Sequence, residues 1–355
     1  MQIRSPAPAP PSLAAVAARV DERIQRLFDA ELARWQAVDP NLAAPLRSLQ
    51  RLVGSGGKRV RPAFCHWGFV GAGGDPDDPR VVDAGAAFEL LHAFALVHDD
   101  VMDGSDTRRG EVTAHVEFGE RHRRGGWLGE ARRFGEGVAI LVGDLSYVYA
   151  DLLLDNANRP EVAAVWHELR LELNVGQYLD LLGTAQSDRD PALARRIARY
   201  KSGKYTIERP LHLGAALAGG LDRLRSALSA YGDPLGEAFQ LRDDVLGVFG
   251  DAELTGKPVG QDLHEGKPTP LLATATRLAR GDQAEILGLV GRDLSEGDVQ
   301  AIQQVIVETG ALDEAERRIA ELTTRSITAI KQADVVPDAR THLIDLAHFV
   351  ADRTS

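Results

Sequence analysis

The sequence predicts an all-α fold, and three observations carry that expectation. Apolar residues recur at three- and four-residue spacing over long stretches, runs with period-two alternation are absent, and Gly and Pro gather in short connections. With 355 residues, 44% of them hydrophobic, the chain can bury a large core.

In chain order, residues 1–11 alternate proline with small residues and cannot hold a helix, so they are expected as a disordered tail and residues 12–355 as one domain. Helical periodicity then runs through "AAVAARVDERIQRLFDAELARW", "VVDAGAAFELLHAFALVHDDV", "EVAAVWHELRLELNVGQYLDLL" and "AIQQVIVETGALDEAERRIAELTTRSITAI". The stretches "GAGGDPDDP", "RRGGWLGEARRFGEG" and "FGDAELTGKPVGQDLHEGKPTP" read as loops between long helices. An arginine-rich segment, Glu120 to Gly137, looks like an insertion; it is expected to be a solvated connection, with a dimer surface as its other reading.

Composition excludes several function classes. Against 52 acidic residues stand 41 basic ones, and a net charge of -11 gives no general attraction to nucleic acid or to an anionic membrane surface. The lone Cys65 cannot form an intramolecular disulfide, which fits a reducing compartment and a cytoplasmic location. Apolar runs fall short of the roughly 18 to 20 residues of a membrane span, so none is expected, nor is a signal segment.

The chemistry concentrates first in "HAFALVHDDVMDGSDTRRG", His92 to Gly110. On a helix starting near Val81, His92, Asp99 and Asp103 stand at i, i+7 and i+11, within about 20° of one line. Carboxylates a turn apart beneath an apolar helix are costly to bury without a cation between them. Mg²⁺ fits, because it accepts one or two carboxylates and completes its shell with water and substrate phosphate. Arg108 and Arg109 follow in a glycine-bounded turn, where a guanidinium fork can meet phosphate oxygens. Acid followed by base suggests a clamp for a metal-bound diphosphate.

Further segments point the same way. "GSGGKRVRP", Gly54 to Pro62, sets Lys58, Arg59 and Arg61 after flexible backbone as an anion site. It lacks the GK[ST] ending of a nucleotide-binding P-loop, and "TGKP" fails the same test. "FQLRDDVLGVFGD" supplies a second acidic pair, Asp243 and Asp244, with Gln240 one turn before Asp244. The Gly-rich stretch after it carries Lys257, Asp262 and Lys267.

Together these ordered motifs resemble the trans-type polyprenyl diphosphate synthases over residues 54 to about 275. The resemblance implies a single helical bundle of the isoprenoid synthase type around a central apolar cavity, with "DDVMD" and "DDVLG" facing each other and binding three Mg²⁺ ions. Asp99 and Asp103 then resemble ligands of two ions and Asp243 the ligand of the third, with Asp244 and Asp262 acting through water and Asp100 behind them. Arg108, Lys201 and Lys257 resemble the cations that hold the allylic diphosphate. Lys58, Arg61, His92 and Arg109 resemble the isopentenyl diphosphate pocket, which Lys267 would join as its loop closes. "RYKSGKYTIERP" resembles the family's Lys-Thr pair with Ser202 in place of Thr; Gln177, Ser202 and Gln240 would turn oxygens toward the allylic cation.

Two departures stand out: Gly247 where the second motif normally ends in Asp, and Pro268 where Arg is common. The implied activity is head-to-tail condensation of isopentenyl diphosphate with an allylic diphosphate by a homodimer. Phe94, five positions before Asp99, with the small Ala95 beside it and no insertion in "DDVMD", resembles the geranylgeranyl diphosphate synthases. Farnesyl diphosphate is the runner-up product. A class I terpene synthase would lack the "GGKR" pocket, and a non-catalytic subunit would have lost aspartates or cations.

Overall fold

The computed structural model describes residues 9–157, 159–186, 190–250 and 260–353. Helix dominates, as the periodicity predicts. The expected tail lies outside the described residues over 1–8, and α1 begins at Pro11. Chain order runs α1 (Pro11–Val38), α2 (Ala43–Gly54), α3 (Val60–Gly71), α4 (Pro79–Asp103), β1 (Thr107–Arg108), β2 (Glu111–Val112), α5 (Ala114–Gly125) and α6 (Ala131–Leu154). It continues with α7 (Pro160–Gln186), α8 (Pro191–Ile197), a π-helical segment (Ala198–Glu208), α9 (Arg209–Leu217), α10 (Leu221–Phe249), α11 (Gln261–Glu265) and α12 (Pro270–Leu278). The last helices are α13 (Asp282–Leu287), α14 (Glu296–Glu308), α15 (Ala311–Gln332) and α16 (Pro337–Asp352). Two compact units result: one takes Pro11–His66 and Asp75–Arg159, the other Trp67–Gly74 and the chain from Pro160 on.

In the first unit α4 is the central element. Asp78 caps it by accepting from the Arg80 backbone N–H at 2.8 Å, and Pro79 opens the first turn. Gly104, left-handed at φ 66°, ends it immediately after Asp103. Alanines and large apolar residues are buried on most of its circumference, Phe88, Leu90 and Leu91 completely. It lies against α6, whose buried Ser146 hydroxyl donates to the Leu90 carbonyl at 2.7 Å. Tyr149 of the same helix donates to Glu31 of α1 at 2.9 Å.

The segment Glu120 to Gly137 is exposed over 123–130, as a solvated connection should be, but much of it is helical rather than loop. It closes α5, turns at Gly126 and enters α6 at Ala131. Gly135 is a contact glycine: a Cβ there would stand 2.8 Å from the Gly119 backbone nitrogen, so its lack of a side chain lets α6 approach α5. His122, Trp127 and Phe134 close over that crossing, with Trp127 and Phe134 ring centroids 5.4 Å apart.

Two helical stretches, Pro79–Asp103 and Ala131–Ala157, reach membrane-spanning length and apolarity by composition alone, longer than the sequence reading allowed. The apolar window of the first is 61% buried inside the protein, as a core helix requires. Its neighbour leaves Ile140, Leu141, Val148 and Leu152 exposed.

The second unit carries a buried charged network beneath the π-helical segment. Glu172 of α7 accepts from Lys204 Nζ at 2.7 Å and from Arg209 Nε and Nη2 at 2.6 and 2.7 Å. Burial works against that carboxylate's charge, but its bonds to Arg209 and Lys204 hold it below its ordinary value. The chain of bonds continues from Arg209 to His212 Nδ1, from His212 to the Ser229 hydroxyl, and from that hydroxyl to Glu208 Oε1 at 2.7 Å. Because Arg209 is always a donor and Ser229 spends its proton on Glu208, His212 must be neutral with the proton on Nε2.

Burial, then the charges of Arg209 and Arg225, push His212 down to about 3. Unfolded it titrates near 6.5, so as pH falls below that value the unfolded chain takes up a proton that the folded chain refuses. Stability tied to neutral His212 is present above pH 6.5 and lost as pH falls toward 3. Between pH 7 and pH 5 this group alone should cost about 2 kcal/mol. Urea denaturation at both pH values should show a smaller difference for His212→Gln than for wild type; equal differences would remove His212 as the cause.

Candidate active site

At the C-terminal end of α4, Asp99 and Asp103 stand one turn apart, as the sequence predicts, while Asp100 turns inward and is 3% exposed. Arg108 is carried back onto this end by the turn after Gly104, which Thr113 fastens by donating to the Ser105 carbonyl at 2.8 Å. Its guanidinium donates to Asp100 Oδ1 from Nε and Nη2, at 2.8 and 2.5 Å, and lies 3.6 Å from Asp99. Burial pushes Asp100 up to about 6; Arg108 pulls it down, and Asp99 and Asp103 add to the rise. Three crowded carboxylates that Arg108 does not fully compensate make a place where a further cation would be stabilised.

The "GGKR" loop is built differently from its sequence reading. Arg59 does not face a ligand: it turns inward, 6% exposed, and donates to Asp21 and Glu89 at 2.7 Å each and to the Val53 carbonyl at 2.8 Å. Burial opposes its charge, but Glu89 and Asp21 outweigh burial and raise it above its ordinary value. Arg59 (φ 50°) and Arg109 (φ 54°) are the non-glycine residues with left-handed backbone among the described residues. Arg109 donates to the Gly56 carbonyl, which ties the two strained turns together.

Around His92 the structure gathers Arg61, Arg109, Arg108 and Arg59. The ring is half-buried and its Nδ1 is enclosed. Burial and then these four guanidinium groups hold His92 well below its ordinary value, so it is neutral at physiological pH. Arg109 is itself lowered, by burial first and by the neighbouring arginines after it. Lys58 is half-buried in the same loop. The structure therefore brings Arg61 and Arg109 close to His92 in this unit, with Arg59 turned inward as a brace.

In the second unit, Lys201 and Ser202 sit in the π-helical segment, half-buried. A π-helix widens the turn and redirects side chains, which recurs where a site needs it. Lys201 donates to Asp180 of α7 at 2.6 Å, and Gly176 admits the approach, since a Cβ there would stand 2.7 Å from the Lys201 Cα. Gln177 follows Gly176 on the same helix.

On α10, Gln240 Nε2 donates to Asp244 Oδ1 at 2.9 Å. Asp244 is 1% exposed, and its Oδ2 has no hydrogen-bond partner among the described residues. Burial first, then Asp262 and Asp243, holds it well above its ordinary value. Asp243 meets Arg353, which also donates to the Phe239 carbonyl at 3.2 Å and lies 3.9 Å over the Phe239 ring. Lys267 pairs with Glu265 at 2.6 Å. Lys257 lies outside the described residues.

Among the described residues no three His, Cys, Asp or Glu side chains form a ready metal cage. Mg²⁺ does not need one, because it retains waters and substrate oxygens and takes one or two carboxylates from protein. The enclosed Asp103 Oδ2 and the buried Asp244 Oδ2 are oxygen donors of the hard type it prefers, so the residues fit the ion. Sequence reasoning missed Arg353, a single arginine with no motif around it, and the inward turn of Arg59.

These features define a helical protein with two acidic sets and a cationic pocket, and the comparisons with known proteins identify its class. The chain belongs to the Polyprenyl synthetase family, whose model matches residues 44–307. It is 32% identical over 303 residues to geranylfarnesyl diphosphate synthase of Aeropyrum pernix, covering 83% of this chain and 89% of that protein. Octaprenyl diphosphate synthase of Haemophilus influenzae is 31% identical over 354 residues, covering 94% and 97%. The solved geranylgeranyl pyrophosphate synthase of Corynebacterium glutamicum, complexed with isoprenyl diphosphate and magnesium, matches with a TM-score of 0.87 and 38% identity over 94% of this chain and 97% of that one. The protein is thus an enzyme of the trans-prenyltransferase class with the all-α isoprenoid synthase fold. Its relatives make products of several lengths, so family membership alone does not choose among them.

Proposed function

We propose that the protein is a Mg²⁺-dependent geranylgeranyl diphosphate synthase that extends a dimethylallyl, geranyl or farnesyl diphosphate with isopentenyl diphosphate. The observation that carries the length assignment lies on α4. Phe94 is wedged against His98 and Tyr147, ring centroids 4.7 and 4.8 Å away, while Ala95, one turn before Asp99, presents only a methyl. One fixed ring and one small residue define a floor deeper than two aromatics would leave.

Arg108 and Lys201, with Lys257, hold the allylic diphosphate. Arg61, Arg109 and Lys58 hold isopentenyl diphosphate, with Lys267 joining them; neutral His92 contributes a hydrogen-bond donor without further positive charge. Mg²⁺, up to three ions held by Asp99, Asp103 and Asp243 with Asp244 and Asp262 behind them, supplies the charge that stabilises the leaving diphosphate. The side-chain oxygens of Gln177, Ser202 and Gln240 face the allylic carbon as positive charge develops there. The isopentenyl double bond, held close, bonds to that carbon, and the released diphosphate takes the proton whose loss re-forms a double bond.

The exposed apolar residues Ile140, Leu141, Val148 and Leu152 of α6 fit burial against a second copy, which supports a homodimer. Light scattering should give a mass near twice 38.4 kDa, and Leu141→Glu combined with Val148→Glu should lower it; a monomeric wild type removes this part of the reading. A cytoplasmic location fits the lone, fully buried Cys65.

Diphosphate release from an allylic substrate should require both Mg²⁺ and isopentenyl diphosphate. Asp103→Ala should lose at least about a hundredfold in kcat while keeping its helical circular dichroism. Full turnover by that folded variant would sink the metal assignment.

Chromatography of dephosphorylated products should give mainly geranylgeraniol. Ala95→Phe should shorten the products by filling the floor, and Phe94→Ala should lengthen them by opening it. If neither variant shifts the distribution, the floor lies elsewhere.

A further inference from the structure

The turn that joins α5 to α6 sets two apolar side chains at its vertex, Leu128 at 98% exposure and Trp127 at 46%. That vertex is built. Gly126 and Gly129, with positive φ of 58° and 95°, fold the chain sharply on either side of the pair. The buried His122 donates from Nε2 to the Leu128 carbonyl at 3.1 Å, and Trp127 leans on His122 and Phe134, ring centroids 5.9 and 5.4 Å away. So braced, the turn keeps Leu128 in water instead of folding it back onto either helix, against the gain that burial would bring.

Its place in this unit is fixed by α4 and α6, which run antiparallel. The Ser146 hydroxyl meets the Leu90 carbonyl, and further along α4 the His98 ring meets the Ile140 carbonyl at 3.1 Å. From that contact α4 has five residues left to Asp103, about 8 Å, whereas α6 has nine back to Ala131, about 13 Å. The turn therefore projects past the end of α4 that carries Asp99 and Asp103. Positive charge accompanies it. Residues 120–137 hold five arginines and three glutamates, an excess of two positive charges in a chain of net charge -11. Arg123 and Arg124 share Glu120, and the side chains of Arg124 and Arg132 are 78% and 81% exposed. Ion pairs this exposed are weak enough for another anion to replace them.

The geometry points to this turn as a peripheral membrane contact: Trp127 and Leu128 enter the headgroup layer of an anionic phospholipid bilayer, and the flanking arginines meet its phosphates. A bilayer fits better than a protein. Two side chains at a vertex fall far short of the ~800 Å² that a stable protein partner covers on each side, whereas a bilayer accepts a protruding pair without a complementary surface. Tryptophan suits the headgroup layer, since its ring is apolar and its N–H polar. The net charge of -11 opposes attraction of the chain as a whole, so the contact is local, weak and sensitive to salt. It goes beyond the proposed function and does not depend on product length. On that reading, a prenyl diphosphate formed at this end of α4 is an amphiphile, and a bilayer beside it is the phase that takes up its hydrocarbon chain.

The test is sedimentation of the full-length protein with phosphatidylcholine vesicles and with vesicles carrying about a third phosphatidylglycerol, at about 50 mM and about 300 mM salt. Wild type should partition onto the anionic vesicles at least about tenfold more strongly than onto the neutral ones in low salt, and the difference should shrink in high salt. Leu128→Asn, which removes the apolar group and leaves the Trp127 brace in place, should weaken partition about tenfold, and adding Trp127→Ala should weaken it further. Arg124→Gln with Arg132→Gln should lower binding to the anionic vesicles only. Every variant should keep its helical circular dichroism, its mass by light scattering and its turnover without vesicles, because none of these residues belongs to the catalytic or binding machinery. No binding by wild type, equal binding to both kinds of vesicle, or undiminished binding by Leu128→Asn combined with Trp127→Ala overturns the inference. A fall in mass for Leu128→Asn assigns the turn to a subunit contact and overturns it as well.

Discussion

Like charge held close together in a buried setting is the constraint on which the structure turns. Asp99, Asp100 and Asp103 crowd the end of α4, and Asp243, Asp244 and Asp262 crowd one stretch of α10 and α11. In each set an arginine from elsewhere in the same unit meets one member: Arg108 holds Asp100, and Arg353 holds Asp243. Burial first, and then the neighbouring carboxylates, keeps both Asp100 and Asp244 above the ordinary carboxylate range despite these arginines. A fold that tolerates this residual repulsion gives up stability locally, and any divalent ion that arrives recovers it.

Holding such ends in place requires rigid supports, and these come from charge pairs on the inner side of each unit. Arg59 is locked by Asp21, Glu89 and a carbonyl, which keeps the loop before α3 in a left-handed turn it would not otherwise adopt. Glu172 gathers Lys204 and Arg209 under the π-helical segment, and the bonds through His212 and Ser229 return to Glu208 at that segment's end. The lost helical regularity over 198–208 is thereby braced by the bonds of Lys204 to Glu172 and of Ser229 to Glu208. Lys201 reaches Asp180 from this braced segment.

Much of this was legible in the sequence, and the misses share a physical cause. The span of α4 and the common face of Asp99 and Asp103 follow from periodicity and a terminal glycine, both of which are local signals. The pairing of Arg61, His92 and Arg109 was expected from family resemblance, and the structure brings them together. What periodicity cannot see is which direction a cation turns when acids far along the chain compete for it: Arg59 reads as a ligand beside Lys58 and Arg61, yet Glu89 lies 30 residues away and claims it. Arg353 was invisible for the same reason, 110 residues from Asp243. Glycine misled differently. Gly135 reads as a loop signal, but inside α6 it marks where another backbone comes close.

The neutral state of His92 follows from the same electrostatics and explains why a histidine suits that position. Four guanidinium groups already act on it, and a fifth permanent cation would pay repulsion from each of them in a partly enclosed space. An imidazole held below its ordinary value adds a directed hydrogen-bond donor at no electrostatic cost, and it also relieves the arginines of a competitor for the same anion. A dianionic diphosphate end reverses the balance: it lowers the repulsion among Arg61, Arg108 and Arg109 and raises the affinity of His92 for a proton. An anion at the proposed pocket would relieve the repulsion among these guanidinium groups, the mirror image of a cation at the two acidic sets. On the proposed reading, opposite charges bound at each place would remove the same kind of strain, so substrate and metal would stabilise the enzyme by the terms that make these ends costly.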